Sequence, residues 1–170
     1  MLRCLLTLSA CAMFGVSAAF AQLDPVRPAA TSEVGPWEAV VWARGRKVDR
    51  CTLARAKPTA DGVSYGFLID HEVLFGVESR QWAFAPKARL QPTLTLQNGE
   101  TRKFSAQAVS ATRANITFPR RMLDQLQRSE HLDVQVGGTK VRLPFDDFNA
   151  ARVVLEICVQ KLGKDYETGR

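Results

Sequence analysis

The most chemically suggestive point in this sequence is a histidine between two carboxylates, Asp70-His71-Glu72. Such a triplet offers an acid-base pair or the corner of a metal site, because a neutral imidazole accepts a proton or a metal. A small hydrolase using His71 with Asp70 or Glu72 is therefore the enzymatic alternative. A triad of Ser64, His71 and Asp70 is disfavoured, since adjacent residues of one extended segment point to opposite faces. His131, beside Glu130, is the second of two histidines and opens a strand-like run. The sequence contains no HExxH, GxSxG, GxGxxG or Walker motif, so no cofactor, metal or catalytic residue is assigned. The expectation is a protein that is not an enzyme.

The stronger chemistry is that of binding and cross-linking. Arg44, Arg46, Lys47, Arg50, Arg55 and Lys57 are opposed in their stretch by Asp49 alone. Arg102-Lys103, Arg113 and Arg120-Arg121 add basic points to a chain of formal net charge +6. In an exported protein such a surface meets anionic envelope material or an acidic partner protein before it meets nucleic acid. Trp37, Trp42 and Trp82 are candidates to line a carbohydrate or peptide groove. Alternation assigns Trp37 to the core and Trp42 to the face of Arg44, so Trp42 is the apolar anchor of the candidate surface.

Export is read from the first residues. Arg3 supplies a positive start, residues 4–20 are apolar and uncharged, and Ala19-Phe20-Ala21 presents small residues where a signal peptidase cuts. A signal peptide over residues 1–21 leaves no transmembrane anchor and a periplasmic or secreted protein. A lipoprotein is disfavoured because the apolar run continues well past Cys11. Cleavage removes Cys4 and Cys11, leaving Cys51 and Cys158. Two thiols in an oxidising compartment, with no CxxC and no third cysteine, predict a disulfide.

The elements that must position these residues are mostly short strands. A 170-residue chain with 46% hydrophobic and 24% charged residues excludes disordered and collagen-like classes and predicts one domain. Residues 22–35 carry two prolines and small polar residues and are expected to be a flexible mature N-terminus. The domain is placed at 36–163, with a tail over 164–170. Period-two alternation predicts a hairpin through Trp37–Ala43 and Cys51–Leu53, with Cys51 inward, then strands at 63–69, 73–77, 81–84, 90–96, 104–108 and 114–118. Asn98-Gly99 signals a hairpin turn, and Pro92 an edge or a strand entrance. Pro119 opens a short helix over 119–129. A second hairpin turns at Gly137-Gly138, and Asp146 and Asp147 are placed to cap a closing helix bearing Phe148, Ala151, Leu155, Cys158 and Leu162. The fold expected is mainly β, an antiparallel sandwich or barrel-like domain with one short helix and a C-terminal helix packed on it.

Several of these elements carry short motifs in a particular order. Gly35-Pro36-Trp37 precedes the Cys51 strand, Leu123-Asp124-Gln125-Leu126 forms the short helix, Leu143–Phe145 ends the strand pair, and Asn149–Ala151 opens the last helix. This order, over residues 35–162, resembles the invasion-associated locus B family of small exported proteins of alphaproteobacteria. The chain departs from the family pattern in having no cysteine between Cys51 and Cys158. The resemblance implies a β-sandwich-like envelope protein linked to host interaction, and it supplies no catalytic residues.

Overall fold

The computed structural model describes residues 24–165. The signal peptide read at residues 1–21, and the end of the tail at 166–170, lie outside the described residues.

Among the described residues twelve strands form two antiparallel sheets. The large sheet has the order β1-β2-β3-β4-β5-β10-β9-β6, from Val26–Val34, Trp37–Arg44, Lys47–Arg55, Ser64–Ile69, Val73–Glu78, Arg113–Phe118, Ala106–Ala108 and Arg89–Leu90. The small sheet has the order β12-β11-β7-β8, from Thr139–Pro144, His131–Val136, Thr93–Leu96 and Thr101–Lys103. Both sheets end in free edges, so the architecture is a sandwich and not a closed barrel. The alternation read from the sequence explains the result, because one face of most strands carries Val, Ile, Leu or Phe that the opposite layer covers.

Aromatic rings fill the centre of the core. Trp37, Tyr65, Phe67, Phe75, Phe118, Phe145 and Phe148 are linked ring to ring, with centroids as close as 4.8 Å for Phe67 and Phe75. They join β2, β4, β5 and β10 to the chain entering α2, Phe148–Val159. Helix α2 buries Phe148, Ala151, Leu155 and Cys158 and packs on β1, β2 and β3. The predicted short helix is α1, Arg121–Leu126, which buries Met122, Leu123 and Leu126. Arg152 of α2 reaches Asp124 of α1 at 2.7 Å.

Four expectations are corrected. Residues 26–34, read as flexible, form edge strand β1 in register with β2; Pro28 and Pro25 do not prevent this, since an edge tolerates a missing donor and the ladder is interrupted between Pro28 and Ala30. Residues 81–84 form no strand: the Trp82 amide donates to the Ser79 carbonyl at 3.2 Å in a turn. The run 90–96 is split between the sheets, with Leu90 in β6 and Leu94 and Leu96 in β7. Pro92 lies at the crossing, where it cannot extend a ladder, and its carbonyl accepts the Phe104 amide at 3.0 Å as the chain crosses back. Finally, neither aspartate caps α2 through its side chain. Asp147 occupies the N-cap with a left-handed φ of 57° and no side-chain cap, while the Asp146 carboxylate pairs with Arg55.

Candidate functional site

The β2–β3 hairpin closes tightly at Gly45-Arg46, with Gly45 at φ +59°, so Arg44 faces Lys47 across the ladder. One residue further the register slips: Trp42 pairs with Arg50 and Ala43 with Val48, which leaves Asp49 as the extra residue of a bulge. The bulge directs the Asp49 carboxylate to Arg44 Nε at 3.1 Å and Arg50 Nε at 2.9 Å. Burial works to raise the Asp49 pKa, but hydrogen bonds from Arg50 and Arg44 outweigh it and hold the carboxyl below its ordinary value. Arg46 and Lys47 are exposed and form no ion pair among the described residues.

The basic stretch is not one patch. An extended strand rises about 3.3 Å per residue, so Lys47 and Arg55 stand roughly 26 Å apart. Arg55 belongs to the core boundary: its side chain is 17% exposed, it pairs with Asp146 at 2.9 Å, and its guanidinium lies 5.9 Å from the Trp37 ring centroid. Lys57 is exposed beyond that far end. Trp42 is half-buried, shares its face with its ladder partner Arg50, and donates its indole N–H to Thr52 Oγ1 at 3.0 Å. Trp37 and Trp82 are both buried.

At the hairpin tip the fold brings together two features that are distant in sequence. The β4–β5 turn carries Asp70, His71 and Glu72, and it meets the tip around Leu162 and Gly163. The resulting open cavity, about 430 Å³, is lined by Arg44, Lys47, Val48, Asp49, Asp70, His71, Leu162 and Gly163. The chain after α2 holds this place by pairing with the start of β3, through Val48 N–H to Lys164 O at 3.0 Å and Gly163 N–H to Val48 O at 2.9 Å. On the other side of His71 a second cavity of about 440 Å³ reaches Arg120 and Val159. Sequence reading missed this convergence, which depends on where the chain goes after α2.

The Asp70 carboxylate serves its own turn. It accepts the backbone N–H groups of Glu72, at 3.1 Å, and His71, and these bonds, that of Glu72 foremost, lower its pKa. Ser64 sits at the opposite end of β4, roughly 20 Å from Asp70 by strand rise. His131 starts β11 opposite Pro144. Among the described residues no group of three or more His, Cys, Asp or Glu side chains is placed to hold a metal ion, and no helix is long and apolar enough to cross a membrane. Cys51 and Cys158 are joined as a disulfide.

No family model matches the chain, and no curated protein matches it. Among solved structures it is similar to the crystal structure of invasion associated protein B from Bartonella henselae. The TM-score is 0.58 with 14% sequence identity, over 79% of this chain and 99% of that one. At this identity the likeness is one of fold. The resemblance read from the motif order thus holds at the level of the fold.

Proposed function

We propose that the protein is an exported, non-enzymatic envelope protein that binds an anionic envelope component or an anionic partner protein through the tip of the β2–β3 hairpin. The observation that carries this reading is a hairpin tip with four basic residues, Arg44, Arg46, Lys47 and Arg50, of which Asp49 engages only Arg44 and Arg50, beside the open cavity at His71. After Asp49 is satisfied, Arg46 and Lys47 keep their full charge for a partner. A disulfide is compatible with export, since such bonds persist in oxidising compartments. The fold shared with an invasion associated protein is compatible with this reading.

The hydrolase alternative using His71 with Asp70 or Glu72 is the weaker reading, because the Asp70 carboxylate is engaged by backbone N–H groups and does not orient the imidazole. The test is sedimentation of the mature protein with vesicles carrying anionic lipid, against neutral vesicles, at low and high salt. Binding to anionic vesicles that fades with salt and is lost in the Arg46→Glu/Lys47→Glu variant supports the proposal. Equal binding to both vesicles, or full binding by the variant, overturns it.

A further inference from the structure

The outer face of the large sheet is turned away from the small sheet and α2, and one row across it is ordered by charge. One row of ladder partners crosses all eight strands, from Glu33 and Glu38 on β1 and β2, through Ala54, Gly66 and Gly76, to Arg89 on β6. Glu33 and Glu38 stand directly opposite each other, an arrangement of like charges that costs a sheet stability. Neither forms an ion pair among the described residues, and neither do Arg89 and Arg113 at the other side. Between these ends the face is partly apolar, with Val40, Leu68 and Leu74 half-buried although no layer covers them, and a shallow cavity of about 230 Å³ lies over Gly66 and Gly76.

We propose that this face is the contact surface of a homodimer. A two-fold axis lying in the face, parallel to β4 and β5 and passing between Gly66 and Gly76, exchanges the acidic and basic sides of the row. It sets Gly66 over Gly76 of the second copy and Glu33 over Arg89 of the second copy, twice by symmetry. Two sheets of the same twist stack face to face without losing contact, as the layers of a sandwich do. Under this symmetry the short strands β9 and β6 face β2 and β1, so the apposed face is about 540 Å² per copy at ~4.8 Å strand spacing and ~3.3 Å rise, the size of a weak, concentration-dependent interface. The backbone groups of this face are spent in the ladders, so recognition falls to the side chains, and these are self-complementary. The proposal is independent of the hairpin-tip reading, since Arg46 and Lys47 lie outside the row.

The test is sedimentation velocity of the mature protein from about 1 to 100 µM, the range in which interfaces of this size associate. A dimer is expected, weakened about tenfold by Arg89→Glu or by Glu33→Arg, and restored by the double variant that exchanges the charges. The neutral variants Arg89→Gln and Glu33→Gln, which introduce no new charge, should weaken it less. Circular dichroism checks that each variant is folded. The Arg46→Glu/Lys47→Glu variant should dimerise as the parent does. A monomer throughout the range overturns the proposal and leaves the face to a partner of another kind. A dimer indifferent to the exposed charges, or a double variant no tighter than the single ones, overturns it too.

Discussion

Cys51, fully buried in the middle of β3, and Cys158, in the last turn of α2, are bonded with their Cα atoms 6.1 Å apart. The bond fastens the closing helix to the sheet on which it packs, close to where residues 162–165 return to β3. Its sequence separation of 107 residues makes it a strong constraint on the unfolded chain, about 4–5 kcal/mol in the chain-entropy description. Reduction, or the paired Cys51→Ser/Cys158→Ser variant, should lower the unfolding free energy by about 4 kcal/mol, read as a lower denaturant midpoint. Mass spectrometry of the unreduced protein should find no free thiol at Cys51 or Cys158.

Four of the seven candidate binding residues, Arg46, Lys47, Arg55 and Lys57, should separate into three groups on substitution. Arg55→Ala removes an ion pair to Asp146 and packing over Trp37 from a site only 17% exposed, and should cost about 1–2 kcal/mol of stability. Arg46→Ala and Lys47→Ala touch no partner and should leave stability within about 0.5 kcal/mol while weakening association with anionic vesicles. Lys57→Ala, at the far end of the strand, should alter neither. Paired measurements of chemical denaturation and vesicle sedimentation on the same variants distinguish the groups.

Asp133 of β11 is buried and held by Arg142, through two nitrogens at 2.8 and 3.0 Å, and by Lys140 at 2.7 Å. The hydrogen bonds from Arg142 lead in lowering its pKa to about 2. A carboxyl depressed in the folded state contributes stability that is complete above its unfolded pKa, about 4, and is lost as pH falls toward 2. Denaturation followed between pH 5 and pH 2 should show roughly 2 kcal/mol less of this acid loss in Asp133→Asn than in the parent. The variant should be less stable at pH 7 and nearly equal to it at pH 2.

Much of this fold was legible because period-two patterns survive wherever a strand has one buried face. Tyr65, Phe67 and Ile69, or Leu132, Val134 and Val136, announce their inward side without reference to anything else. The pairing of Cys51 with Cys158 followed from counting thiols. What was illegible depends on long-range geometry. Residues 26–34 have a loop-like composition and become a strand because β2 offers them an edge. The basic residues at 44–57 are neighbours in sequence, yet an extended chain carries Arg55 and Lys57 away from Arg46. The meeting of Lys47 with His71 needed the path of the chain after α2, and the charge order of the outer face needed the register of all eight strands.

Gly66 and Gly76 are ladder partners, yet alanine should have unequal consequences at the two positions. A Cβ on Gly66 would lie 2.7 Å from the Cα and Cβ of Ala54 and from the Leu53 carbonyl oxygen. Those atoms belong to the backbone of β3 or are fixed to it, so relief requires parting two paired strands. Overpacking of this kind costs about 1–3 kcal/mol. A Cβ on Gly76 would meet the Arg113 guanidinium and the Asn115 side-chain oxygen at 3.3 Å, the far ends of side chains that can rotate away. There the reduced freedom of the unfolded chain should offset the small crowding, leaving stability within about 1 kcal/mol of the parent. Urea denaturation of the two variants should therefore give a clearly lowered midpoint for Gly66→Ala and a nearly unchanged one for Gly76→Ala; equal losses at both would mean that β3 and β4 are not held as closely as the register places them.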